Sequence, residues 1–434
     1  MKYPQLNSSL FERNRKKLLK CLIANSVAVI HSNDQMPRNG DQYFSFRQNS
    51  DLLYLTGIDQ EKTILTLCPN HPNKDLREIL FIIESNEQIA VWEGHKYSQE
   101  EAIKTSGIKT IKYISEFEAT FRELAINAEN IYLNLNENLK FKPEIESADF
   151  RFMGDLQKEF PAHEVERLAP IMMNLRLKKE PEEIKLMQEA CSITHKTFNR
   201  ILKFVKPNVT EYQVEAEITH EFLWNRATDH AYAPIIASGK SACVLHYVEN
   251  NKICNDGDLL LMDFGAEYAN YAADCTRTIP VNGKFTDRQK ECYEAVLSVM
   301  KKAITWLTPG TTINKINERV EELIQKEHIK LGLYSLKDVE NQDPEKPLVK
   351  KYYPHGTCHF IGLDVHDVGD RTVVLEDGMI LTCEPGIYIP EENIGIRIEN
   401  DIVVGQKPFD LMQDIPREVE EIEKLMNTFH EQSK

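Results

Sequence analysis

Leu259-Leu-Leu-Met-Asp263-Phe-Gly265-Ala-Glu-Tyr-Ala-Asn-Tyr-Ala-Ala-Asp274-Cys-Thr-Arg-Thr-Ile279 decides how the second half of the chain folds. Leu259 to Met262 and Tyr271 to Ile279 have strand character, and Gly265 punctuates the segment between them. A two-residue turn at Tyr268 and Ala269 would set Asp263 directly opposite Asp274 on one face of a hairpin. Opposed side chains have Cβ atoms about 4.5–5.5 Å apart, close enough for two carboxylates to grip the same cations. The same arithmetic pairs Glu384 with Glu399 across a turn at Glu391 and Glu392. An isolated Asp beside a glycine is commonly a turn residue, and an isolated strand Glu commonly faces water. Asp263, however, follows four apolar residues and Asp274 lies between Ala273 and Cys275, so both are expected to be partly buried and to need a charge partner. Crowded carboxylates push one another's pKa up, and a cation reverses that penalty.

Ahead of the second hairpin lies His355-Gly-Thr-Cys-His359-Phe-Ile-Gly-Leu-Asp-Val-His366-Asp. An imidazole among carboxylates shifts preference toward Mn, Fe, Co or Zn. Cys275 and Cys383 each neighbour an acidic residue on a strand, so alternation points their thiols away from it.

Outward from these hairpins, Glu182 to Phe204 and Thr210 to Arg226 read as amphipathic helices, with Thr210 and Gln213 fitting a capping box. Helices are also expected over Asp287 to Leu307 and Ile313 to His328. The order helix, strand pair, helix, strand pair hints at a duplication without a residue-level repeat. The run Glu418 to Met426 reads as an acidic, solvated surface helix. Toward the N-terminus, Ile64 to Leu67, Ile79 to Ile83 and Ile131 to Leu135 are strand candidates in a mixed α/β domain. The proline-bracketed, charged segment Pro161 to Pro181 suggests a border near residue 170, giving domains 1–170 and 171–434.

With 434 residues, two domains are the natural expectation. A formal charge of −16 offers no basic field for nucleic acid or an anionic membrane. Lys16, Lys17 and Lys20 before the apolar run Leu22 to Ile30 mimic a leader, but Asn25 and Ser26 break the run and no small-residue cleavage site follows. A helix leading into a buried strand, Ser26 to Ile30, fits better. No stretch reaches about 18 uninterrupted apolar residues, so no membrane span is expected. Nine cysteines without a CxxC pair suit a reducing, cytoplasmic setting.

Six runs in order carry a family resemblance: Leu245-His246-Tyr-Val-Glu-Asn-Asn, Met262-Asp-Phe-Gly, Ala273-Asp-Cys-Thr-Arg-Thr, the His355 to Asp367 run, Glu384-Pro-Gly-Ile-Tyr388 and Gly395-Ile-Arg397-Ile-Glu399-Asn-Asp. They resemble the proline peptidases of the pita-bread (creatinase/methionine aminopeptidase) fold, and most closely the aminopeptidase P group. Arg47-Gln-Asn-Ser-Asp-Leu-Leu-Tyr-Leu-Thr-Gly and Leu175-Arg-Leu-Lys-Lys-Glu-Pro-Glu-Glu-Ile extend the likeness over nearly the whole chain. The resemblance implies an α+β protein, a smaller α/β N-terminal domain serving substrate access and oligomer contacts before a pita-bread catalytic domain. It implies a dinuclear site held by Asp263, Asp274, His359, Glu384 and Glu399, with manganese the usual ion and Co, Zn or Fe as alternatives. Glu384 would act as general base toward a water shared by the metals and turned to hydroxide, releasing the first residue of peptides whose second residue is proline. His246, His355 and His366 match substrate-holding and oxyanion-stabilising histidines, Arg397 shares the face of Glu399, and Tyr232 and Tyr388 match pocket-lining tyrosines. Each has a plainer structural reading as core residue or ion-pair partner. Trp92 resembles a tryptophan that caps a neighbouring subunit's pocket, in a homodimer or homotetramer. One rival is prolidase, whose bacterial members tend to carry a long insertion between the two glutamates. Here Glu384 and Glu399 are fifteen residues apart. The other rival is a metal-free binding protein on the same scaffold.

Overall fold

The computed structural model describes residues 3–138 and 144–432, with side chains through residue 428. The chain forms two compact units, Tyr3–Arg176 and Leu177 onward. In the first, the helix Ser8–Leu19 leads into the fully buried strand Ser26–His31. That strand pairs antiparallel with Ile64–Leu67 and parallel with Asn130–Leu133 inside a six-stranded sheet. Val27, Val29, Phe81, Ile131 and Leu133 fill one apolar cluster beside it. An aliphatic run buried on both faces is what a central strand requires.

The second unit opens with Pro181–Phe204 and Glu211–Trp224. Pro181 sits where a missing N–H costs nothing. The expected capping box is present at Thr210 and Gln213, with Gln213 Oε1 accepting from Thr210 N at 2.9 Å. A first group of strands, Ile235–Ser238 through Thr276–Pro280, is followed by the helices Asp287–Ile304 and Ile313–Lys330 and then by the strands Ile380–Cys383 through Asn400–Val403. Among the described residues, no helix is long and apolar enough to cross a membrane.

The two hairpins differ in how well their register was anticipated. Gly386 pairs with Arg397 and Cys383 with Asn400, which sets Glu384 opposite Glu399 as expected. In the first hairpin Tyr268 pairs with Tyr271 and Asp263 with Thr276. The turn therefore falls on Ala269 and Asn270, not on Tyr268 and Ala269, and both turn residues have positive φ, 52° and 66°. That is the backbone of the tight hairpin turns matched to strand twist. Asp263 and Asp274 are thus diagonal neighbours on one face instead of directly opposed. The C-terminal helix also needs correction. Val419, Ile422 and Met426 are fully buried, so Val419–Gln432 is an amphipathic helix with one face packed.

Gly265, across the first hairpin from Asp274, has no room for a side chain, since a Cβ there would lie 1.7 Å from the Ala273 carbonyl oxygen. Gly265→Ala is expected to destabilise the protein by about 1–3 kcal/mol, as overpacking does. An unchanged thermal melting curve would contradict this packing.

Candidate metal centre

The two hairpins are stitched together behind their carboxylates. Glu399 N donates to the Thr276 carbonyl at 3.1 Å, and Thr278 Oγ1 donates to the Arg397 carbonyl at 3.1 Å. Arg277, with no exposed surface, donates to the carbonyls of Glu399 and Thr276 at 2.7 and 2.9 Å and to Asn400 Oδ1 at 2.7 Å. Strand alternation then turns Thr276 toward the carboxylates and Arg277 away from them.

On the facing side the five donors named above meet. Asp274 Oδ2 and Glu384 Oε1 lie 3.3 and 3.7 Å from His359 Nε2. Asp274, His359 and Glu399 each offer a ligand atom within 4.8 Å of the others'. The Tyr232 hydroxyl spans Asp263 Oδ1 at 2.5 Å and Asp274 Oδ1 at 2.6 Å. Thr276 Oγ1 donates to Glu399 Oε2 at 2.6 Å. His359 Nδ1 lies 3.0 Å from the Phe360 carbonyl, which places its proton there and leaves Nε2 as the lone-pair donor toward the carboxylates.

The only guanidinium among these groups belongs to Arg397. Its Nη2 donates to Asp263 Oδ2 at 2.6 Å, Nε to Thr276 Oγ1 at 2.9 Å and Nη1 to the Tyr388 hydroxyl at 2.9 Å. The Tyr388 hydroxyl lies 2.7 Å from His355 Nε2, and His355 Nδ1 lies 2.7 Å from the Gly356 carbonyl. Burial, reinforced by Arg397, pushes the His355 pKa down to about 3, so the ring is neutral at neutral pH. One consistent chain results: Arg397 donates to Tyr388, Tyr388 donates to His355 Nε2, and His355 Nδ1 donates to Gly356. His366 packs edge-on against His359, ring centroids 4.5 Å apart at 88°. His246 is exposed. Trp92, on the short helix Glu87–Glu93 of the N-terminal unit, is 82 % exposed.

The protein groups alone do not satisfy this cluster. Burial, then mutual repulsion, holds Glu399 and Asp274 far above the ordinary carboxylate range. Burial raises Glu384 to about 7, with His359 and Arg397 pulling the other way. Tyr232 has one hydroxyl proton for two carboxylate oxygens, so one of its two close contacts lacks a proton unless an aspartate is protonated. Four carboxylates against one guanidinium call for further positive charge, and an oxygen-rich set with one imidazole fits hard or borderline divalent ions.

Comparison with known proteins agrees. Residues 185–406 match the model described as Metallopeptidase family M24, and residues 11–132 match Aminopeptidase P, N-terminal domain. The Xaa-Pro aminopeptidase of Haemophilus influenzae is 35 % identical over 96 % of this chain and 97 % of its own length. The chain belongs to metallopeptidase family M24. Human Xaa-Pro aminopeptidase 3 is 32 % identical over 92 % of this chain and 80 % of its own. The solved structure of Escherichia coli aminopeptidase P with the inhibitor Pro-Leu superposes with a TM-score of 0.89 at 31 % identity, covering 99 % of this chain and all of that one. The fold is therefore the pita-bread fold preceded by an aminopeptidase P N-terminal domain; the family is one of metallopeptidases, and Asp274, His359 and Glu399 form a candidate site for a divalent metal.

Sequence reasoning missed the second layer. Thr276 and Arg277 stood in a quoted motif without a role. Asp401 went unnoticed as the acceptor of the Asp274 N–H at 3.1 Å and a contact of the Cys191 thiol at 3.6 Å.

Chelator-stripped protein should show the cluster in its pH dependence. Carboxylates with raised folded pKa bind protons that the unfolded chain has released, so stability falls as pH rises between the ordinary 4.5 and about 7. Added divalent metal replaces those protons. The melting-temperature gap between loaded and stripped protein should therefore widen with pH across that window, and a constant gap would contradict it.

Proposed function

We propose that this protein is an Xaa-Pro aminopeptidase that removes the first residue from peptides with proline second. The convergence of five donor side chains beside a neutral histidine, a tyrosine and a buried arginine carries the assignment, in a chain alike from end to end to proteins so named. Asp263, Asp274, His359, Glu384 and Glu399 are the side chains that hold two ions, with manganese the first choice for four carboxylates and one imidazole. Bound there, divalent metal supplies Lewis acidity that polarises the scissile carbonyl and makes a water nucleophilic near neutral pH.

Glu384 has the most accessible carboxylate of the four, 19 % against 13 % for Asp263, 7 % for Asp274 and 2 % for Glu399. It is the group that takes the attacking water's proton and returns it to the leaving proline nitrogen. His366 and His246 present imidazole N–H groups toward the oxyanion that develops on the carbonyl. Both ring nitrogens of His355 are engaged, so its part is to orient Tyr388 at the pocket wall. Arg397 holds Asp263 and Tyr388 in register. Proline lacks an amide N–H and has a fixed ring, so an apolar slot suits it better than a hydrogen-bonding one.

The N-terminal unit provides access and subunit contacts. Trp92 and Val91, 82 % and 80 % exposed, form an apolar surface suited to burial by another copy in a dimer or tetramer. All nine cysteines are free thiols, in keeping with a cytoplasmic protein.

Prolidase is the competing reading, and the short connection between Glu384 and Glu399 weighs against it. With manganese supplied, Xaa-Pro-Yaa tripeptides should be cleaved and Xaa-Pro dipeptides should not. Cleavage of dipeptides alone would overturn the proposal in favour of prolidase. Glu384→Ala should lower kcat by about 100- to 10,000-fold, the span of a general acid–base contribution, with an unchanged circular dichroism spectrum. Retained turnover would remove Glu384 from the role of base.

A further inference from the structure

The catalytic unit contains a second buried ionic device outside the donor cluster. Lys179 Nζ lies 2.9 Å from Asp367 Oδ2, both side chains 1 % exposed and 188 positions apart in sequence. Replacing such a pair with apolar side chains is often neutral or stabilising, so stability alone does not explain it. Its surroundings do. Lys179 N donates to the Gly378 carbonyl at 3.0 Å, just before the strand Ile380–Cys383 that leads into Glu384. Asp367 N donates to the Phe360 carbonyl at 2.9 Å and closes a loop over 360–367 whose ends adjoin His359 and His366. Within that loop, the Gly362 carbonyl accepts from Ala272 N at 2.8 Å, two residues before Asp274. A Cβ on Gly362 would lie 2.3 Å from Asp367 Oδ2 and 2.7 Å from Lys179 Cε, so the loop rests directly on the ion pair. A second buried carboxylate, Glu183, faces the pair and is itself held by Glu180 N at 2.7 Å and the Tyr271 hydroxyl at 2.9 Å.

We infer that the Lys179–Asp367 pair is a positioning element for the reaction: it clamps the 360–367 loop and thereby fixes the imidazole of His366 against His359. Neither residue reaches the donor cluster, and both act through the adjacent histidine. This rests on the reading of His366 as a substrate-facing group.

A double-mutant cycle on the manganese-loaded full chain, assayed with an Xaa-Pro-Yaa tripeptide, separates the possibilities. Asp367→Asn should lower kcat/KM roughly 10- to 100-fold, as small misplacements of a reacting group do, with bound manganese unchanged. In a His366→Ala background the same substitution should cost less than about twofold, because contributions that pass through one residue are not additive. Equal losses in both backgrounds, or no loss in either, would overturn the inference. If His366→Ala alone leaves kcat/KM untouched, the reading of His366 fails and takes the inference with it. A loss with His366→Ala but none with Asp367→Asn refutes the clamp alone. Gly362→Ala displaces the pair without removing a charge, so the same cycle run with it decides the matter should Asp367→Asn fail to fold.

Discussion

Four carboxylates share one buried corner with a single guanidinium, and the layout of the catalytic unit follows from making that tolerable. Arg397 neutralises part of the charge through Asp263. Burying the remainder without further cations raises the proton affinity of Asp274, Glu384 and Glu399, a penalty that a divalent cation would lift. The scaffold has to hold the oxygens together when nothing attracts them to one another. Arg277 and the Thr276–Glu399 backbone link do this by crossing between the hairpins on the side away from the site. Because these bonds run mostly to carbonyl oxygens, they fix the strands without competing for the carboxylates.

Proton placement is the second constraint. A neutral His355, its two ring nitrogens committed to Gly356 and Tyr388, passes orientation from the backbone to Tyr388 and on to Arg397. Burial also pushes the Tyr388 hydroxyl up to about 12, so it remains a donor at neutral pH. With its Nδ1 proton on the Phe360 carbonyl, His359 keeps Nε2 for the cluster. Each contact removes an alternative tautomer or rotamer before substrate or metal arrives, which is what preorganisation means physically.

Much of this was legible in the sequence because hairpin geometry is local. The second hairpin's register followed from its midpoint, and glycines and apolar runs marked both strand pairs. The first hairpin was misplaced by one position because Asn270, which tolerates positive φ, was not weighed as a turn residue. The face shared by Asp263 and Asp274 survived that error, since moving the midpoint preserved parity. What could not be read were pairings between distant segments: Tyr232 with two aspartates, Arg277 with Glu399, Lys179 with Asp367. No periodicity links such positions. In the C-terminal helix the acidic residues predict solvation, but the i, i+3, i+7 stripe of Val419, Ile422 and Met426 buries one face.

The N-terminal unit has a self-contained sheet and core, so the donor geometry belongs to the catalytic unit alone. The most direct test is therefore an anomalous-difference map from a manganese-soaked crystal, recorded at the manganese absorption edge. Two peaks flanked by Asp263, Asp274, His359, Glu384 and Glu399 are the result this account predicts. Peaks elsewhere, or a fully occupied crystal with none between those side chains, would contradict it.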